Sequence, residues 1–301
     1  MRKTPSWPSR VAENGGSARQ NLSGRGLLQA YDISSSGSEP MCLILFSYDD
    51  HPRYRLVVAA NRDEFFGRPT QPARFWNDAS YVLAGRDEKA GGTWMGVTRH
   101  ARWAAITNYR DPSPRTDDAR SRGHLVADYL KEQAEPADYL GRVAEEADRY
   151  NGFNVLVGTL DTIGYYSNRD GAARRLAPGL YGLSNHLLDT GWPKVERGRK
   201  KMRRVLDQDE VAPEEIFDLL HDTTQPDDER LPDTGIGLAG ERVLSPMFIE
   251  GDRYGTRSST VLLIDRAGHV TFVERTFDQG RATMTQRYDF DIASAPARMD
   301  S

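Results

Sequence analysis

The 301-residue chain has a single cysteine, Cys42. No internal disulfide can form, so the framework of a small secreted domain is excluded. Long apolar runs are also missing: no stretch approaches the roughly 20 residues of a membrane-spanning helix. The basic start MRKTPSWPSR leads into no apolar segment and is therefore not a secretory signal. A charge excess is lacking too. With 40 basic and 44 acidic residues the net charge is −4, which gives no electrostatic footprint for nucleic acid. Arg199, Lys200, Lys201, Arg203 and Arg204 do cluster, with the spacing of a helix's solvated face. There is no G-x-G-x-x-G, no P-loop and no paired-cysteine motif, and none of the six histidines forms H-x-H or H-E-x-x-H. No metal or other cofactor is expected. A cytoplasmic protein with no nucleic-acid partner and no membrane span is expected; nothing in the composition sets its oligomeric state.

Residues 1–40 contain GGS, LSGRG and SSSGS and only one briefly apolar stretch, LLQAY. Such a composition cannot bury enough surface to offset its ordering entropy, so it reads as a disordered extension or as the product of an upstream, mis-assigned start. Residues 41–290 are long enough for one large α/β domain or two small ones, and 291–301 form a C-terminal tail. Within the domain, CLILFSY and RLVVAAN predict a hairpin across Asp49–Pro52, followed by strands at YVLAG, TWMGVT and RWAAITN. From Arg120 the period becomes helical, with HLVADYLKEQ and then Pro136 at a first-turn position. Strands return at FNVLVGT, IGYYSN and LYGLSN. Helices follow at Lys194–Leu206 and from Pro213, and Thr223–Gly240 reads as a loop. STVLLID and HVTFVERTF close with a hairpin. Hairpins plus two helical pairs predict an α+β fold of antiparallel sheets covered by helices.

Cys42 directly follows Met41. If the chain starts at Met41, or is cut there, loss of Met41 frees the α-amine of Cys42. An α-amine has a pKa of about 7.7–8.0, so it can take the thiol's proton near neutrality and place nucleophile and base on one residue. The competing reading is a small buried hydrophobe at a strand start. Four polar groups at predicted strand ends bear on the choice: Asn61-Arg62-Asp63-Glu64, Asn108-Tyr109-Arg110, Ser184-Asn185-His186, and Tyr254 to Ser259. Each alone is ordinary turn chemistry. Together with a thiol, a carboxylate, two amides and an arginine supply orientation, oxyanion donors and charge for acyl transfer.

In order, MCLILF, AANRDEFFGRPT, GGTWMGV, AAITNYRD, YNGFNVLVG, YGLSN and YGTRSSTVLLID resemble the NRDE family, also called the transport and Golgi organisation 2 family; Asn61–Glu64 is the NRDE segment. The resemblance runs from Met41 to about Phe290, and members begin with Met-Cys. The family is in turn distantly similar to N-terminal-nucleophile hydrolases of the cholylglycine hydrolase and penicillin V acylase group. That likeness implies a four-layer αββα sandwich with two mainly antiparallel sheets. It implies Cys42 as nucleophile, Asp63 holding amine and thiol, Asn108 and Asn185 binding the oxyanion and orienting the amine, and Arg257 as a late arginine near the nucleophile. Asn61, Arg62, Tyr109 and Trp94 are the expected substrate-binding residues. Trp76, Trp94, Trp103 and Tyr109 could line an apolar pocket or belong to the core. The chain departs from the hydrolases at Ala60-Asn61-Arg62-Asp63, because their arginine precedes the asparagine. Two functions stay open: hydrolysis of an amide or related acyl bond, and non-catalytic carriage of haem, acyl-CoA or lipid, with which the family has been linked.

Overall fold

The structure, a computed structural model, describes residues 41–111, 116 and 118–293. The predicted extension at 1–40 and most of the predicted tail lie outside the described residues. The chain forms β1 (Cys42–Tyr48), β2 (Tyr54–Phe65), β3 (Thr70–Phe75), β4 (Val82–Asp87), β5 (Met95–Thr98) and β6 (Trp103–Asn108), then α1 (Gly123–Lys131) and α2 (Pro136–Glu145). β7 (Phe153–Gly158), β8 (Ile163–Ser167), β9 (Arg174–Arg175) and β10 (Gly179–Leu183) follow. The last part comprises α3 (Pro193–Leu206), α4 (Pro213–Leu220), α5 (Gly237–Leu244), β11 (Tyr254–Asp265), β12 (His269–Asp278) and β13 (Arg281–Asp291). Proline opens α2, α3 and α4, where its missing N–H costs nothing and its fixed φ suits the first turn.

The strands make two sheets, ordered β10-β1-β2-β11-β12-β13 and β3-β4-β5-β6-β7-β8-β9. Neighbours in both are antiparallel. Three apolar layers hold them. Ile44, Phe46, Val58, Ala60, Trp103, Leu156 and Leu262 meet between the sheets. Leu43, Leu45, Val57 and Ala59 of the first sheet pack under Val195, Met202, Ile216 and Leu244 of α3, α4 and α5. Ala104, Val155 and Val157 of the second sheet pack under Leu125, Val126, Tyr129 and Leu140 of α1 and α2. This is a four-layer αββα sandwich. Both faces of each sheet are covered, so β1 reads CLILFSY, buried throughout, rather than alternating polar and apolar.

Differences from the sequence reading have local causes. β2 does not end at Asn61: β11 pairs with it as far as Phe65, through Tyr254, so the NRDE segment and Tyr254–Ser259 are strand rather than turn. Within the predicted loop Thr223–Gly240 the chain enters α5, which brings Val243 and Leu244 onto the first sheet. β3 was unexpected because Pro72 interrupts it; it is an edge strand, where a missing N–H is tolerated. β13 offers only Tyr288 and Phe290 to the inter-sheet layer and is otherwise largely exposed, so its hydrophobic signal is weak.

Phe46 sits at the centre of the inter-sheet layer, fully buried, stacked on Tyr181 at 5.1 Å and tilted against Trp103 at 5.7 Å. Phe46→Ala should cost about 3–5 kcal/mol, read as a lower urea midpoint with an unchanged slope. A loss under about 1 kcal/mol would contradict this packing.

Candidate active site

The site begins with the alternation of β1. Leu43 and Leu45 face the helices while Ile44 and Phe46 face the second sheet, and by the two-residue period Cys42 falls on the inter-sheet side and Met41 on the helix side. At this end residues of both sheets, Cys42 among them, line a cavity of about 870 Å³. Its walls are mixed: Arg62 and Glu64 from β2, Asp87 from β4, Asn108 from β6, Arg257 from β11 and Glu274 from β12 stand beside apolar surfaces that include Trp94, Ile106, Phe277 and Met284. Cys42 itself is 7% exposed.

Backbone and amide contacts fix Cys42. It lies opposite Arg62 in the β1–β2 ladder. Its N–H donates to Asn185 Oδ1 at 3.1 Å, and its carbonyl accepts from Ser184 Oγ at 2.8 Å. Asn185 Nδ2 donates to the Asn108 carbonyl at 3.0 Å, which ties β6 to β1 across the sheets. Asp63 is fully buried, accepting from Thr256 Oγ1 at 2.6 Å, while its N–H donates to the Met41 carbonyl at 2.8 Å. The Met41 N–H donates to the Tyr254 hydroxyl at 2.8 Å. Arg257 occupies a β-bulge: Thr256 pairs with Asp63 and Ser258 with Arg62, leaving Arg257 between them. Bulges re-aim side chains, and this guanidinium lines the cavity while its Nη1 donates to the carbonyls of Phe65 and Arg68.

Charges here are paired and dry. Arg62 meets Glu64 at 3.2 Å, with side chains 10% and 5% exposed. Burial, then the charge of Asp63, pushes the Cys42 thiol up to about 12. Burial also raises Asp63 to about 6, against the pull of Lys194 and the Thr256 hydrogen bond. With Met41 attached, therefore, Cys42 is a protonated thiol with a backbone amide, not an amine, beside it.

Cys42, Asp63, Asn108, Arg62, Trp94 and Arg257 thus share one cavity. Asn185 touches Cys42 from outside that wall. Asn61 lies elsewhere: it is fully buried, donates to the carbonyls of Leu220 and Met247 at 3.0 and 2.8 Å, and accepts from Ser259 Oγ at 2.6 Å. It braces β2 to α4 and to the segment after α5. Tyr109 is likewise off the cavity wall, its hydroxyl 2.8 Å from His186 Nε2. Trp76 and Trp103 are core residues on opposite faces of the second sheet, so they do not line one apolar pocket with Trp94 and Tyr109.

The sequence reading missed Lys194, 3% exposed, which donates to the Leu244 carbonyl at 3.1 Å. It also missed the buried Arg110–Glu241 pair at 2.9 Å. Lys194 lies at the start of a helix whose basic run from Arg199 to Arg204 is partly or fully exposed; the adjoining Trp192-Pro193 was the available signal that this first turn docks inward. Among the described residues no three His, Cys, Asp or Glu side chains gather to hold a metal ion, and no helix is long and apolar enough to cross a membrane.

The family model described as Transport and Golgi organisation 2 matches residues 41–279. The chain belongs to that family. A Transport and Golgi organization 2 homolog from Mus musculus is 38% identical over 278 residues, covering 84% of this chain and 100% of the relative. The Drosophila melanogaster Transport and Golgi organization protein 2 is 31% identical over 266 residues, 78% of this chain and 92% of its own. Among solved structures, a mutant conjugated bile acid hydrolase from Clostridium perfringens aligns at a TM-score of 0.42 and 9% identity, over 87% of this chain and 100% of its own. A Caenorhabditis elegans ortholog of N-acylethanolamine-hydrolyzing acid amidase aligns at 0.42 and 12%, over 74% and 92%.

A thiol held near 12 rather than at the ordinary value of about 8.5 has little thiolate at neutral pH. In this family member with Met41 attached, iodoacetamide should modify Cys42 on the order of a thousand-fold more slowly than a free thiol at pH 8. The rate should keep climbing beyond pH 10. A plateau between pH 8 and 9 would contradict the burial argument.

Proposed function

We propose that a chain beginning at Cys42 is an N-terminal-cysteine hydrolase acting on an amide or related acyl bond of a small molecule. The observation that carries this reading is the seat of the Cys42 nitrogen. It rests on Asn185 Oδ1 at a sheet end, beside Asp63, while the residue itself opens on the cavity. Freed of Met41, that nitrogen is an amine within reach of its own thiol. The match to the family model starts at Met41, which supports residues 1–40 being absent from the working form.

The steps balance on this chain's groups. The α-amine accepts the thiol proton, and the thiolate attacks the acyl carbon. Asn108, on the cavity wall, donates to the developing oxyanion. Asn185 is engaged by the Cys42 nitrogen and by the Asn108 carbonyl, which suits it to orienting the amine. The α-ammonium then protonates the leaving nitrogen, giving a thioester. Water, deprotonated by the same amine, attacks the thioester carbon and releases the acid and the thiol. Asp63 orients the amine. Arg257 and Arg62 face the cavity, which favours substrates with polar or anionic groups over wholly apolar ones. A cytoplasmic setting, with a reduced thiol, suits this chemistry.

A second reading is favoured by the raised thiol pKa: with Met41 retained the same cavity has no activated nucleophile and would serve as a carrier of haem, acyl-CoA or lipid.

Protein starting at Cys42 should turn over some N-acyl amide or thioester, and Cys42→Ser and Cys42→Ala should lower turnover by several orders of magnitude with ligand affinity nearly unchanged. Intact mass of protein from its native host should lack residues 1–41. Met41 retained throughout, with ligand bound equally well by Cys42→Ala and no substrate turned over, would instead support carriage.

A further inference from the structure

Lys194 is buried, titratable and unused by the chemistry above. It is the second residue of α3, and its bond to the Leu244 carbonyl is the one hydrogen bond of its ammonium among the described residues. An ammonium has three donors, and burying it with one hydrogen bond is costly unless a counter-charge lies close. The charged groups acting on it are Asp63 from β2, Glu241 from α5 and Arg110 after β6. Glu241 is already committed: Oε2 meets Arg110 at 2.9 Å, and Oε1 accepts from the Thr234 N–H and hydroxyl. Arg62 and Glu64, next to Asp63, pair with each other. The carboxylate left for Lys194 is Asp63, which accepts from the Thr256 hydroxyl and feels Arg62 and Glu64 more weakly than Lys194.

Met41 is tied to Asp63 through the backbone and shares the helix-side layer with Leu244, whose carbonyl accepts from Lys194. Its side chain is fully buried in the helix-side layer with Trp192, Val195, Leu244 and Tyr254. Its N–H is bonded to Tyr254, and its carbonyl to the Asp63 N–H. Without Met41, the Cys42 nitrogen becomes an amine in this pocket. A second ammonium there would face one carboxylate already matched by one ammonium, and a buried net positive charge is unfavourable.

We propose that Lys194 is a positioning residue whose buried ammonium neutralises Asp63 and so keeps the α-amine of a Cys42-start chain uncharged at neutral pH, ready to accept the thiol proton. This rests on the reading of Cys42 as an N-terminal nucleophile. A neighbouring cation is an established way to depress an amine's pKa. The proton moves from sulfur to nitrogen, so the α-ammonium appears only together with the thiolate and then the oxyanion, when its charge is compensated. The mutual influence of the two groups is consistent with this: burial lowers Lys194 to about 8 although Asp63 holds it up.

Because Cys42 is the single cysteine, 13C- and 15N-labelled cysteine reports this one site by NMR. In Cys42-start protein the α-amine should titrate at least one unit below the ordinary range of about 7.7–8.0. Lys194→Met should raise that pKa by about one unit or more (a tenfold or larger change in proton affinity), and Lys194→Arg should leave it low. The acid limb of any kcat/KM profile should move with it. If Lys194→Met fails to fold, Lys194→Gln makes the same neutral test; a substitution is needed because burial alone also lowers an amine's pKa. An α-amine titrating at 7.7 or above, or unmoved by Lys194→Met, overturns the inference. The readout is ionisation, not turnover: an active enzyme with an ordinary amine would sink this inference and spare the hydrolase reading, whereas a depressed amine without turnover would do the reverse.

Discussion

The antiparallel register that clamps β1 between β2 and β10 sets every other relation at the site. Cys42 pairs with Arg62, Ile44 with Ala60 and Leu183, and so on along the strand. Side chains alternate with period two, so this register sends Ile44 and Phe46 between the sheets and Leu43 and Leu45 under the helices. Slipping β1 by one residue would exchange the two sets. Met41 would then enter the cavity and Cys42 would vanish beneath α3. Both inner and outer layers resist that slip, because each would have to accept side chains shaped for the other. The position of the thiol thus follows from hydrophobic packing along the whole strand, not from contacts at Cys42 alone.

The same strand end gathers charges that a sheet interior would not tolerate singly. Arg62–Glu64 and Arg110–Glu241 are buried pairs, and Asp63 and Lys194 lie buried within each other's field. Such pairs are weak sources of stability, since desolvation cancels most of the attraction. Removing one member is costly because it strands the other. Their place, a few residues from the thiol and around one sheet edge, is where perturbed ionisation is useful to chemistry. Arg110 also links to Asn185 through its backbone N–H at 2.8 Å and lies 4.9 Å from the Trp192 ring centre. The amide holding the Cys42 nitrogen and the charged layer behind it are therefore one connected structure.

Much of this was legible from the sequence. Buried strands such as CLILFSY and FNVLVGT have β-branched or aromatic content and flanking turn residues, and α2, α3 and α4 are announced by proline. The strand-end argument brought together the segments of Cys42, Asp63, Asn108 and Arg257, and the family resemblance singled out the residues, although Asp63 and Arg257 lie within paired strands. What was hidden depended on partners distant in sequence. Asn61 is polar because it must bond two carbonyls, of Leu220 and Met247; nothing local distinguishes that from ligand binding. Lys194 looked like its solvated neighbours because period alone does not say how deep a helix start is docked. The bulge at Arg257 is a register event between two long strands, and register is not written in either strand separately. β3 and β13 are edges, whose residues answer to solvent on one side and so carry a diluted pattern.

The central claim is that the thiol of Cys42, in a chain that starts there, attacks an acyl carbon from the cavity. Peptide mapping by mass spectrometry after brief incubation of Cys42-start protein with activated N-acyl amides and acyl esters tests this directly. The account predicts an acyl adduct on the N-terminal peptide, at Cys42, that decays with hydrolysis and does not form when Met41 is retained. Equal acylation of the Met41-bearing protein, or acylation confined to lysines with Cys42 untouched, would contradict it.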